Sequence, residues 1–241
     1  LGDVVVQNSG SLHSTGKYAY GAGAVATSGD VYVVNLPGGD AYAGSQGGEF
    51  HYLGLSIGLF GRALQGDTRI DNDGGVTAGG NAGLAIGLYA GADFGQADIE
   101  NAGTIDASNG YGSAEGARAE AGGFALLINQ GSIGASATGD GVHADSDAIG
   151  AVVDAPYGLA VGNNAGDISA SSVSGVADGL FANGSTVSAF NSGSIAATGH
   201  TWAAGIEAQG STIAYLVNSG TITATAAHGD AVFDPYGYGY V

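Results

Sequence analysis

The sequence predicts an all-β fold, a right-handed parallel β-helix (β-solenoid) of about nine coils with three short strands in each, at a repeat of roughly 27 residues. Three observations carry this expectation. A phrase of the form Asn-x-Gly-x-aliphatic-x-Ala recurs down the whole chain. Its marked residues fall on alternate positions, which is the period of a strand; a helix would scatter them around its circumference. Successive copies return at a spacing that belongs to solenoids, and the repeats fill residues 1–241 as a single domain with no room for another.

Seven copies begin at Asn8, Asn72, Asn101, Asn129, Asn164, Asn191 and Asn218. Gly stands two residues after each, a branched or Leu side chain four after (Leu12, Val76, Ile105, Ile133, Ile168, Ile195, Ile222), and Ala six after, with Ser14 the exception. From Asn72 onward the copies follow one another at intervals of 29, 28, 35, 27 and 27. The interval from Asn8 to Asn72 is more than twice the usual one and holds a degraded copy at Asn35, where Pro37 and Gly39 replace the usual Gly and aliphatic. Stacked coils place Asn over Asn at about 4.8 Å, so the side chains are expected to form a buried amide ladder at a corner. The Gly is read as facing inward with the Asn, the aliphatic and the Ala.

Between copies lies a second strand phrase, seen as Gly141-Val142-His143-Ala144, Gly179-Leu180-Phe181-Ala182 and Gly205-Ile206-Glu207-Ala208. A third strand, such as Ser211 to Leu216, runs straight into the next Asn. The positions between inward residues are small or polar, as in Ser219, Thr221, Thr223 and Thr225, giving a Ser/Thr face toward solvent. Two stretches depart from the pattern, about 36–66 and 136–163, and are expected to carry protruding loops.

Composition narrows the partners. Against 22 acids stand only Lys17, Arg62, Arg69 and Arg118, for a formal charge of −18. Four cations cannot neutralise a phosphate backbone, so nucleic acid and anionic membrane are poor partners. The absence of Cys excludes a disulfide framework and thiolate chemistry. No stretch is long and apolar enough to predict a membrane-spanning helix.

Candidate chemistry is sparse, and no cofactor is expected. His143, Asp145 and Asp147 alternate, and on one strand face they would offer three ligands to a divalent cation such as calcium. Asp71-Asn72-Asp73-Gly74 begins like a calcium loop but lacks the later ligands. A carbohydrate-active enzyme, lyase-like or hydrolase-like, would need acids beside a guanidinium, and Asp67, Asp71 and Asp73 near Arg69 are the best set available. An ice-binding surface would use the Thr row at 221, 223 and 225, but Asp106, Gly134, Asp167 and Ala196 interrupt its columns. Asn183-Gly184-Ser185 matches a glycosylation acceptor, but the same residues are required by a turn, which is the better explanation. At the ends, the Tyr236, Tyr238, Tyr240 stripe and Val4 with Val6 are candidate subunit contacts.

The phrase, for example Asn191-Ser192-Gly193-Ser194-Ile195-Ala196-Ala197, resembles the passenger repeats of autotransporter and filamentous-haemagglutinin-like surface proteins of Gram-negative bacteria over about nine tenths of the chain. The resemblance implies a secreted or cell-surface β-helix used in adhesion, biofilm or fibre formation, with no catalytic residue to carry over. It also implies a processed passenger or a fragment, since neither a signal peptide nor a translocator barrel is recognisable. The chain begins and ends in mid-coil, and joining residue 241 to residue 1 of another copy would set Asn8 after Asn218 at an interval within the range of the repeat. The expected role is therefore a non-enzymatic extracellular structural or adhesive solenoid. Its expected partners are further copies stacked head to tail, a host or neighbouring-cell surface, or a polysaccharide.

Overall fold

The computed structural model describes residues 2–45, 54–139 and 146–237, with the backbone alone for 233–237. The first coil comprises β1 (Val4–Asn8), β2 (Ser11–Gly16) and β3 (Tyr18–Ala26). The second comprises β4 (Val31–Asn35), β5 (Asp40–Ser45) and β6 (Leu55–Ala63), and the third β7 (Thr68–Asn72), β8 (Gly75–Gly80) and β9 (Leu84–Ala92). Next come β10 (Gln96–Asn101), β11 (Thr104–Asn109) and β12 (Ser113–Ala121), followed by β13 (Phe124–Asn129) and β14 (Ser132–Ala137). From there the third arm of one coil runs without a break into the first arm of the next. This gives β15 (Ala148–Asn164), β16 (Asp167–Ser172), β17 (Val176–Asn191), β18 (Ser194–Gly199), β19 (Trp202–Asn218), β20 (Thr221–Ala226) and β21 (Asp230–Gly237).

Every strand pairs in parallel with its equivalents in the adjoining coils, as in Asn101 opposite both Asn72 and Asn129, and Ile105 opposite both Val76 and Ile133. The result is a parallel β-solenoid with three strands per coil. The second arms form an eight-stranded sheet, so the described residues make eight coils where chain length over repeat length predicts about nine. The difference lies in two long coils, 37 residues from Asn35 to Asn72 and 35 from Asn129 to Asn164.

Those long coils correct the expected extent of the irregular stretches. Within 36–66, β5 and β6 keep full register with β8 and β9, and 46–53 lies outside the described residues. Within 136–163, β15 pairs with both β12 and β13, and 140–145 lies outside them. The phrase at Gly141 falls in that gap; the glycine that stacks under Gly179 is Gly150.

The core is narrow because one column of glycines admits one column of aliphatics. Gly58, Gly87, Gly116, Gly150, Gly179 and Gly205 of the third arms face Val76, Ile105, Ile133, Ile168, Ile195 and Ile222 of the coil that follows, and a Cβ at any of these glycines would overlap a methyl group there. From Val76 to Ile195 these branched side chains are fully buried, each worth about 1.5–3 kcal/mol in area removed from water. Alanines fill the rest, including Ala78, Ala107, Ala135, Ala170 and Ala197.

Candidate functional site

The repeated phrase turns a corner: Asn closes the first arm, Gly lies in the bend, and the aliphatic and Ala open the second arm. At that corner each Asn side-chain nitrogen donates to the Oδ1 of the next Asn, from Asn8 through Asn35, Asn72, Asn101, Asn129, Asn164 and Asn191 to Asn218, at 2.7–2.8 Å in every link. Asn35, the degraded copy, is a full member with no exposed surface. Its nitrogen also reaches the Gly39 carbonyl at 3.1 Å, so Gly39 stands in for the usual Gly after the detour through Pro37 and Gly38. Gly38 adopts a left-handed φ of 82°.

The ladder has one direction. Each interior Oδ1 accepts from the coil before and each Nδ2 donates to the coil after. Among the described residues, Asn8 Oδ1 accepts only from the Gly10 amide, and Asn218 Nδ2 donates only to the Gly220 carbonyl at 3.3 Å.

The phrase glycines do not face inward as expected; Gly74, Gly103, Gly131, Gly166, Gly193 and Gly220 are half-buried at the bend. Their φ values are ordinary for any residue, since positive φ occurs only at Gly29, Gly38 and Gly83 among the described residues. The requirement is close approach instead. From Gly103 onward, a Cβ at each would overlap the carbonyl oxygen of the phrase glycine one coil earlier. A second ladder, not recognised in the sequence, lines the corner before the first arm: Asp3, Asp30 and Asp67 accept the amides of Asp30, Asp67 and Gln96 at 3.0, 2.9 and 2.8 Å.

Of the candidate catalytic acids near Arg69, Asp71 is engaged with that arginine and Asp67 with the backbone, while Asp73 is exposed. Arg69 bonds Asp71 of its own strand at 2.8 Å and Glu100 of the adjacent coil at 2.9 Å, while Asp67 belongs to the second ladder. A shallow cleft of about 400 Å³ lies beside them, lined by Asp71, Asp73, Glu100 and Gln130. Asp98, in the same band, has its carboxyl pushed up chiefly by burial. Among the described residues no three His, Cys, Asp or Glu side chains are arranged to hold a metal ion. Of the candidate divalent-cation ligands, Asp147 accepts the Val176 amide at 3.0 Å, and His143 and Asp145 lie outside the described residues.

The remaining surfaces divide by arm. On the second arm Thr221, Thr223 and Thr225 stack over Ser194, Ala196 and Thr198, which in turn stack over Asp167, Ser169 and Ser171. The row is thus mixed, as the sequence implies. Asn183, in the possible glycosylation motif, donates to Asp154 at 2.8 Å. The outer face of the first arms is less polar than expected. Leu126 stacks on Val161, and Phe190 on Val217, beside Tyr215 in an edge-to-face contact with Phe190 at 5.9 Å. Reading the positions just before Asn129 and Asn218, where both parities are apolar, is the signal that finds this face.

Of the candidate subunit contacts, Val4 and Val6 face inward on β1 and pack half-buried against the core. The backbone of Tyr236 pairs with Gln209, and Tyr238 and Tyr240 lie outside the described residues. Both long coils carry their extra chain at the same corner, between second and third arm: it leaves after Ser45 and after Gly139, and Ser45 and Ala137 occupy one column. That column sets the two departure points three coils, or about 14 Å, apart along one edge.

No helix is long and apolar enough to cross a membrane among the described residues. Comparison with known protein families, with curated proteins and with solved structures gave no match.

Proposed function

We propose that this chain is a non-enzymatic extracellular solenoid that builds the shaft of a cell-surface fibre, its coils stacking head to tail, with adhesion to a neighbouring surface or polysaccharide carried by one edge. The observation that carries the reading is the one-way amide ladder. Whatever continues the rod, further coils of the same polypeptide or a second copy, must present an acceptor to Asn218 and a donor to Asn8. A coil of this same chain in the same orientation does both, whereas a reversed one sets donor against donor. Such a contact is heterologous and does not close on itself, which is the geometry of fibres. The inward, half-buried Val4 and Val6 give the first coil an apolar seat for that contact. The adhesive edge is assigned to the corner that carries 46–53 and 140–145, since insertions in solenoids gather binding function.

Electron microscopy and sedimentation of the purified chain test the stacking. Asn218→Asp keeps the Oδ1 that accepts from Asn191 and converts only the forward-facing donor into an acceptor. The wild type is expected to form linear assemblies and the variant to remain in single rods. Single rods for both, or equal assembly by both, would remove the head-to-tail reading.

A further inference from the structure

Asp178 stands on β17 at a position that is outward by parity yet almost enclosed, with 7% of its surface exposed. In register it lies between Ile149 of the coil before and Ala204 of the coil after. The same column holds Ile57 and Ile86 in earlier coils, just before the third-arm glycine, and both are buried there. An acid in this column is not unique: Glu115 is equally buried, at 7%. But Glu115 is held by both forks of Arg118, each at 2.7 Å. Asp178 has no such partner, and its Oδ1 is buried without any hydrogen bond.

Among the described residues, the charged groups that act on Asp178 are both acids, Glu207 of β19 and Asp147 just before β15. Asp154 of β15 is taken up by Asn183, β18 contributes no charged residue, and β17 itself carries none besides Asp178. Asp167, the one charge of β16, lies in the second sheet opposite Ser194.

We infer that Asp178 is a proton-dependent latch: the stacked strands β15, β17 and β19 close around its neutral carboxyl and loosen when that carboxyl ionises beside Glu207. Burial, with Glu207 and Asp147 adding to it, raises the carboxyl from 3.8 to about 7. A group raised in this way favours the fold fully below its unfolded value. The contribution declines as pH rises toward about 7 and is absent above it. Over the whole window the loss approaches about a thousand-fold in the folding constant.

The test compares chemical unfolding at pH 5 and pH 8 for the wild type, Asp178→Asn and Asp178→Ile, the last restoring the residue of three other coils. The wild type is expected to lose about a hundred-fold in folding constant relative to either variant between these two pH values. Carbon-13 NMR of the wild-type carboxyls is expected to show one that titrates near neutrality and is missing from the variants. If both substitutions fail to fold, the wild-type titration alone still overturns the inference when no carboxyl titrates above pH 6. A difference between wild type and variants that is the same at both pH values, or no carboxyl titrating above pH 6, overturns the inference.

Discussion

Replacing Asn129 by Ala removes a middle rung of the amide ladder and strands both of its neighbours. Asn101 Nδ2 loses its 2.8 Å acceptor, keeping only carbonyl contacts of 3.3 and 3.4 Å to Gly103 and Ser132. Asn164 Oδ1 loses the 2.8 Å donor that fills it from the coil before. Each buried polar group left unpaired costs about 1–3 kcal/mol, and the small void adds to it, so the expected loss is about 4 kcal/mol. Asn218→Ala is the matched control, because it is exposed and strands only Asn191, which keeps two carbonyl contacts of 3.4 Å. Its expected cost is about 1 kcal/mol. Urea denaturation followed by circular dichroism measures both. A double substitution of Asn101 and Asn129, which share one bond, is expected to cost less than the sum of the singles. Asn72 with Asn164, which share none, should add. Equal costs for Asn129 and Asn218, or additivity in the neighbouring pair, would show that the amides act as spacers and not as a bonded ladder.

Two further substitutions probe the packing. Gly131→Ala puts a Cβ into the Gly103 carbonyl. It is expected to lower stability by at least about 3 kcal/mol by forcing two coils apart, while Gly123→Ala, with nothing within 4 Å of the added carbon, is expected to be neutral in the same thermal melt. Arg118→Met leaves Glu115 buried without its guanidinium and is expected to cost about 3 kcal/mol at neutral pH. Most of this should be recovered by adding Glu115→Ile, whereas Arg69→Gln, at an exposed pair, should cost under about 1 kcal/mol.

The ladder and the inner columns are legible in the sequence because a stack of identical rungs imposes identical residues: an amide bonded to its own kind above and below tolerates no other side chain. Asn35 is weaker in the text than in the fold, since the detour through Pro37 moves its glycine by two places while leaving the amide in line. The phrase glycines reveal their presence but not their reason. Parity places them inward, whereas the carbonyl of the preceding corner is what forbids a side chain. The apolar outer face is legible only before Asn129 and Asn218, where both parities are apolar; Val161 and Phe190 join it because their strands stack on those neighbours. Asp178 is the least legible of all. It stacks between Ile149 and Ala204, neighbours a full coil away on either side, and no local pattern encodes that.

The fit of Ile105, Ile133, Ile168, Ile195 and Ile222 against a glycine of the preceding coil bears on how the chain acquires its shape. Each seat is made by residues that come earlier in the polypeptide than the side chain that fills it. A chain delivered from its amino end therefore meets, at every turn, a template already complete, and needs to close only a short loop to dock on it. Delivered from the other end, each isoleucine would wait for a seat not yet made. Growth by accretion from the first coil onward suits a polypeptide that folds while it is still emerging.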